Sequence, residues 1–282
     1  MKKSKKYLLL TLLIPVLAAL VVCAVQQKYK TRSLPVLMYH HFAEESSADT
    51  VVTPERFREQ MTALRETGFT TVTVQQMLDY VQRGTPLPEK PVLITMDDGY
   101  TSNLTIAAPI LEELGLCATV FVIGVYEGET YSVHTGEPLY PDRFSYEEAK
   151  PWVDKGVLDL QSHSFDLHRL DGSAGEGMLP LPGENEDAYE ARLEADMAEF
   201  CRQREGQVGT PLLALSFPYG YYTEETDDVL EDLGIALTFT VKSGCSRLEM
   251  GEEDSLRCMS RFNVTNHMSG KALVQLLTRA LD

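Results

Sequence analysis

The chain has 282 residues, 44% of them hydrophobic, and a formal net charge of −17. Seven of its 25 basic residues and none of its 42 acidic ones fall in the first 32 positions, which leaves the remainder with 18 basic residues against 42 acidic and a net −24. No basic stripe of the kind that nucleic acid requires is present, so nucleic acid is excluded as a partner, and nothing in the sequence specifies a protein partner. The acidity is that of a solubilising surface; a weaker reading is that it attracts a cationic polymer.

Residues 1–32 form a segment of their own. Lys2, Lys3, Lys5 and Lys6 precede a nearly unbroken apolar stretch from Tyr7 to Val25, just long enough to supply the roughly 20 residues of a membrane-spanning helix. No small-residue cleavage site follows Val25, which favours an uncleaved anchor over a cleaved signal peptide. The lysines put the N-terminus in the cytoplasm and residues 33–282 outside it, anchored to the cell membrane; secretion after cleavage is the alternative. Cys23 follows bulky Leu20, Val21 and Val22 and belongs to the anchor rather than to a lipidation site. Cys117, Cys201, Cys245 and Cys258 are too scattered for a disulfide framework, although Cys245 and Cys258 could pair outside the cell.

From Ser33 onward the chain alternates strand and helix signals without a low-complexity linker, as one large α/β domain does. The apolar run Leu34–Met38 is followed by Thr53-Pro54, a helix start with Phe57, Met61 and Leu64 on one face and Gly68 as its stop. A strand near 69–74, a helix over 75–83 ending at Gly84, a buried strand at 92–96 and a helix ending near Gly115 come next. After the run 118–123, Ser145-Tyr146-Glu147-Glu148 has capping-box spacing and opens a helix that stops at Gly156. Strand 157–161, a polar loop over 171–185, and a helix with Tyr189, Leu193, Met197 and Phe200 on one face follow. Strands at 212–217 and 235–241 flank another helix, and Ser269 caps the last one. Repeated βα units with apolar strands imply a parallel sheet covered by helices, open or closed into a barrel.

In such folds functional groups gather on the loops at the carboxyl ends of the strands. Four unusual segments occupy those positions: Tyr39-His40-His41, Asp97-Asp98-Gly99, His163 through His168, and Pro218-Tyr219-Gly220. Consecutive side chains at a strand end point in different directions, so one of Asp97 and Asp98 can hold a metal while the other moves protons. His163 and His168 would be rotated by about 140° on a regular helix, and can share an ion only if their segment is a turn. That spacing also excludes the helical His-Glu-x-x-His arrangement of zinc proteases. One carboxylate and two histidines leave coordination positions for water and a substrate oxygen, the mark of a catalytic site. The donor set suits zinc, with cobalt, nickel or iron compatible.

On Thr95-Met96-Asp97-Asp98-Gly99 the chain resembles the polysaccharide deacetylases of carbohydrate esterase family 4, which share the NodB homology domain; Met96 stands where the family has Phe. The resemblance runs from about Leu34 to the C-terminus. It implies a distorted (β/α) barrel of about seven parallel strands, here preceded by the transmembrane helix. It further implies Asp97 as general base, Asp98, His163 and His168 as metal ligands, and the Tyr219 N–H at the oxyanion, with Pro218 and Gly220 lining the groove. His40 either lines the pocket or makes structural hydrogen bonds. The five-residue histidine spacing, Leu37-Met38-Tyr39-His40-His41 and Phe217-Pro218-Tyr219-Gly220 are similar to the branch acting on poly-β-1,6-N-acetylglucosamine. Three features depart from the family. Ala214, Leu215 and Ser216 stand where an arginine often precedes the Pro-Tyr-Gly loop, the later Asp-x-Trp motif has no counterpart, and the Leu-x-x-His that supplies the general acid is not evident. His267 is the nearest candidate acid, and its context is that of a surface loop. The expected function is metal-dependent release of acetate from an N-acetylglucosamine-containing cell-wall or extracellular polysaccharide. O-acetyl ester hydrolysis and noncatalytic glycan binding are the alternatives.

Overall fold

The computed structural model describes residues 30–45, 48–170 and 176–281. The expected membrane anchor lies outside the described residues, and among those described no helix is long and apolar enough to cross a membrane.

Seven of the eight strands of the main sheet form one path: β1 (Val36–Tyr39), β2 (Pro91–Asp98), β3 (Ala118–Val122), β4 (Leu158–Ser162), β5 (Ala214–Ser216), β6 (Leu237–Phe239) and β7 (Phe262–Asn263); the eighth, Thr70–Thr71, pairs in parallel with the start of β2. They lie in the order β6-β5-β4-β3-β2-β1-β7, and every neighbouring pair is parallel. The sheet curls into a half-barrel, and a parallel bridge from Phe239 to Met259 reaches across from the β6 edge toward the chain entering β7. This is the parallel, helix-covered architecture expected of the βα repeats. An antiparallel ladder between Thr31–Leu34 and Ser246–Glu249 was not foreseen; neither segment is long or alternating enough to announce a strand.

The helices begin and end where local chemistry directs. Thr53 accepts from the Arg56 N–H at the start of α1 (Pro54–Glu66). A Thr73/Gln76 capping box opens α2 (Val74–Arg83), and Gly84, at φ 69°, closes it. Then come α3 (Ala108–Leu114), α4 (Tyr146–Asp154) behind the Ser145/Glu148 box, α5 (Glu186–Arg204), α6 (Glu224–Asp232) and α7 (Gly270–Leu281). Each box satisfies two amides that the first helical turn leaves without partners.

Period-two alternation sorts each central strand between two cores. On β2, Val92, Ile94 and Met96 pack outward with Phe57, Met61 and Leu277 of the covering helices. Leu93 faces inward with Val36, Phe121 and Phe239, a floor closed by Tyr80, Val81 and Leu248. The inward positions above Leu93 are polar, Thr95 and then Asp97, and both are buried. The apolar floor thus ends where the site begins. Cys245 and Cys258 are free thiols, so the pairing considered for them is not formed.

Helix α7 approaches α1 through Gly270, where an added Cβ would lie 2.8 Å from both the Ala63 Cβ and the Glu59 carbonyl oxygen. Gly270→Val is expected to lower stability by about 1–3 kcal/mol, as overpacking does. Urea unfolding would register this as a lower midpoint at unchanged slope; an unchanged midpoint would mean that the helices separate without cost.

Candidate active site

Asp97 stands at the top of the barrel interior, locked to a buried arginine. Arg261, with no exposed surface, donates from Nη1 to Asp97 Oδ1 at 2.7 Å and from Nη2 to Asp97 Oδ2 at 2.8 Å. Its other donors reach Thr95 Oγ1 at 3.2 Å, Ser216 Oγ at 2.8 Å and, from Nε, the Thr240 carbonyl at 2.9 Å. All five guanidinium N–H groups are thereby used. Burial alone would raise the Asp97 pKa, but the charge of Arg261, then His163 and the Arg261 hydrogen bonds, outweigh it and hold the carboxyl below its usual range. The carboxylate is therefore ionised at neutral pH.

Asp98 leaves the strand in another direction. The backbone turns left-handed at Asp98 (φ 74°) and Gly99 (φ 68°), which swings the second carboxylate out of the interior and toward the histidines. His163 Nε2 lies 3.5 Å and His168 Nε2 3.3 Å from Asp98 Oδ1. The residues between the histidines form a non-helical turn with Ser164 at φ 68°, as the five-residue spacing requires. Burial pushes His163 down to about 4, so its imidazole is neutral at physiological pH and has a lone pair to give. The His163 Nδ1–H is directed at the Ser216 carbonyl at 2.7 Å, which leaves Nε2 with a lone pair free to ligate. Burial opposes ionisation of Asp98, yet hydrogen bonding and charge from His168, then His40 and His163, bring it well below the usual range.

These three donors fit a divalent cation. Their ligand atoms lie within 4.8 Å of one another, and separations of 3.3 and 3.5 Å match the roughly 3.4 Å edge of a tetrahedron with 2.0–2.1 Å bonds. Asp97 is not part of this set; its oxygens are committed to Arg261.

Pro218-Tyr219-Gly220 forms a short turn after β5 with Tyr219 at φ 57°. The Tyr219 ring packs against His168 at a centroid distance of 4.2 Å, and burial, then Asp98, pushes its phenol up to about 12. Gly220 is required there, because a Cβ would meet Val241 Cγ2 at 2.4 Å. His40 follows outward-facing Tyr39, so strand alternation turns it to the mouth. Its charge bears on both Asp97 and Asp98, and its buried Nδ1 has no partner among the described residues. His41 instead hydrogen-bonds Ser102 Oγ through Nδ1 at 2.9 Å, and His267 is exposed in the loop before α7. His134 is tied through Nε2 to Asp166 Oδ1 at 2.7 Å.

Two residues of the site were not foreseen. No arginine stands in the Ala214-Leu215-Ser216 segment ahead of the Pro-Tyr-Gly turn, and the guanidinium at Ser216 comes from Arg261 instead, 164 positions from Asp97; a single sequence carries no signal for so distant a pair. The other is Tyr100, whose phenol is raised above its ordinary range by burial and by Asp98 and carries the Arg143 guanidinium 3.8 Å from its ring centroid.

Comparison with known proteins agrees with this geometry. A family model described as polysaccharide deacetylase matches residues 84–238. The Bacillus subtilis (strain 168) protein YxkH, whose name places it among polysaccharide deacetylases, is 30% identical over 86% of this chain and 75% of its own length. The poly-beta-1,6-N-acetyl-D-glucosamine N-deacetylase of Escherichia coli (strain K12) is 26% identical over 83% of this chain, which spans only 37% of that protein. The structure of IcaB from Ammonifex degensii superposes with a TM-score of 0.71 at 28% identity, covering 89% of this chain and 98% of that one.

Breaking a buried ion pair leaves an uncompensated charge. Arg261→Met is accordingly expected to destabilise the fold by about 3–5 kcal/mol at neutral pH. The deficit should shrink on acidification. In the unaltered chain the lowered pKa of Asp97 gives stability present above about pH 3.9 and lost as pH falls through the folded value; in the variant, burial raises that pKa and protonation relieves the cost. Chemical denaturation across pH would contradict the pairing if the deficit were independent of pH.

Proposed function

The chain belongs to the polysaccharide deacetylase family, and from that premise we propose that it hydrolyses N-acetyl groups of an N-acetylglucosamine-containing cell-wall or extracellular polysaccharide, using a divalent cation and releasing acetate. The observation that carries this reading is the convergence of Asp98, His163 and His168 beside a carboxylate, Asp97, that Arg261 keeps ionised. A noncatalytic glycan binder has no use for both a donor set and a separate base.

Asp98 through a carboxylate oxygen and His163 and His168 through Nε2 would hold the cation, zinc being the best match to this donor set. When bound, it supplies Lewis acidity, lowering the pKa of water and polarising the acyl oxygen. Asp97 accepts the proton of the attacking water, its carboxylate oriented by the two Arg261 bonds. The Tyr219 N–H, on its left-handed turn, donates to the oxygen on which negative charge develops. His40, at the carboxyl end of the neighbouring parallel strand β1, faces both carboxylates and delivers a proton to the departing nitrogen. The amide C–N bond breaks, acetate leaves, and the sugar keeps its amine. Pro218 and Gly220 shape the adjoining wall of the groove.

The E. coli relative named above supports poly-β-1,6-N-acetylglucosamine as the first substrate to test. The apolar stretch at 7–25 behind four lysines supports a membrane-anchored enzyme with its catalytic part, residues 33–282, outside the cytoplasm.

Acetate release from β-1,4- and β-1,6-linked N-acetylglucosamine oligomers and from O-acetylated xylan tests the proposal. Zinc-loaded protein is expected to act on an N-acetylated oligomer and to lose activity on chelation. Asp97→Asn should retain one equivalent of zinc while losing about 10²–10⁴-fold in rate, the range of general base catalysis. Activity on the xylan ester alone would identify an esterase, and no release from any of these substrates would favour a binding role.

A further inference from the structure

The turn joining His163 to His168 has no regular secondary structure to hold it, yet both imidazoles must converge with Asp98. Its carbonyl side is bound by the loop after the neighbouring strand β3, where the Gly124 N–H donates to the Ser164 carbonyl at 3.1 Å and the Val125 N–H to the Phe165 carbonyl at 2.8 Å. Its amide side meets a single residue of α5. The Phe165 N–H donates to Asp196 Oδ2 at 2.8 Å and the Asp166 N–H to Asp196 Oδ1 at 2.7 Å. The Asp166 side chain points elsewhere, to His134 at 2.7 Å and Arg169 at 3.7 Å.

Asp196 is an expensive choice for a helix position. It is 8% exposed and shares a face with Leu193, Met197 and Phe200, all buried. Among the described residues no cation lies within ion-pairing distance; the nearby Arg192 is committed to Glu184 at 2.8 Å. Burial pushes the Asp196 carboxyl up to about 6 against the pull of the two amides. A folded pKa raised above the unfolded one gives stability that is complete below about pH 3.9 and lost as pH rises through the folded value. At neutral pH the ionised group therefore weakens the fold, and an apolar side chain would suit α5 better. What a carboxylate alone supplies is two acceptor oxygens for two consecutive N–H groups.

We propose that Asp196 is a positioning residue: it clamps the Phe165 and Asp166 amides so that the turn presents His163 and His168 to one cation together with Asp98. The inference rests on the reading that those three residues hold a divalent cation. It makes a residue 28 positions beyond His168, on a different element, a determinant of metal affinity. Asparagine in its place would accept one N–H through Oδ1 and turn an NH₂ toward the other, so the turn would lose half of its clamp while the packing of α5 stays the same.

The test uses the full chain and Co²⁺ as the probe, followed by its visible absorption and by chelator competition. Asp196→Asn is expected to bind Co²⁺ about 10–100-fold more weakly, the usual effect of removing support behind a ligand, with an altered absorption band. The melting temperature of the metal-free variant at neutral pH should be equal to or above that of the unaltered chain. Glu194→Gln, at an exposed position of the same helix, should change neither quantity. Unaltered Co²⁺ affinity and spectrum in Asp196→Asn would overturn the proposal, as would a metal-free melting temperature that falls in step with affinity, the sign of a purely structural role. Failure of the unaltered chain itself to bind Co²⁺ would overturn the metal reading and the positioning role with it.

Discussion

The bidentate pairing of Arg261 with Asp97 is the constraint around which the upper half of the barrel is arranged. A guanidinium with no exposed surface is tolerable only if every N–H is satisfied. Here Asp97, Thr95, Ser216 and the Thr240 carbonyl provide the acceptors. Those groups come from β2, β5 and the chain leaving β6, so a single side chain ties together three strand ends. The same bonds separate the two neighbouring carboxylates by environment. Asp97 is oriented and charged by Arg261, while Asp98 is left to the histidines.

Backbone geometry completes that separation. A regular strand would send Asp98 outward to the helices, where Val92, Ile94 and Met96 pack. The left-handed turn at Asp98 and Gly99 redirects it over the barrel mouth. Ser164 and Tyr219 adopt positive φ as well, so three of the loops that build the site contain a non-glycine residue in a sparsely populated conformation. Such strain persists only where surrounding bonds overdetermine it, and at the histidine turn those bonds come from Gly124, Val125 and Asp196.

Much of this was legible from the amino-acid sequence, for physical reasons that differ from one element to the next. The βα alternation was visible because buried parallel strands are short apolar runs and amphipathic helices repeat every 3.6 residues. The helix starts at Thr53 and Ser145 follow from capping chemistry that acts within three residues. The grouping of one carboxylate of Asp97-Asp98 with His163 and His168 could be read from their places after strands, since a parallel sheet brings all carboxyl ends to one edge; the choice of Asp98 came from the family resemblance. Arg261 was illegible because it lies in a brief polar segment and its partner is set by the curl of the whole sheet, not by local pattern. Asp196 did leave a trace, a carboxylate on the apolar face of Tyr189, Leu193, Met197 and Phe200, although the sequence could not say which amides it meets. The antiparallel ladder of Thr31–Leu34 with Ser246–Glu249 was hidden for a similar reason, as its pairing is long-range and its segments are short.

The proposed division of labour between adjacent carboxylates puts Asp98 on the metal and Asp97 on the proton. Anomalous diffraction at the zinc edge from crystals of the zinc-loaded protein tests it most directly. One strong peak is expected within bonding distance of Asp98, His163 Nε2 and His168 Nε2, with both Asp97 oxygens still on Arg261. A peak ligated by Asp97, or an Asp97 carboxylate released from Arg261 when the ion binds, would contradict it.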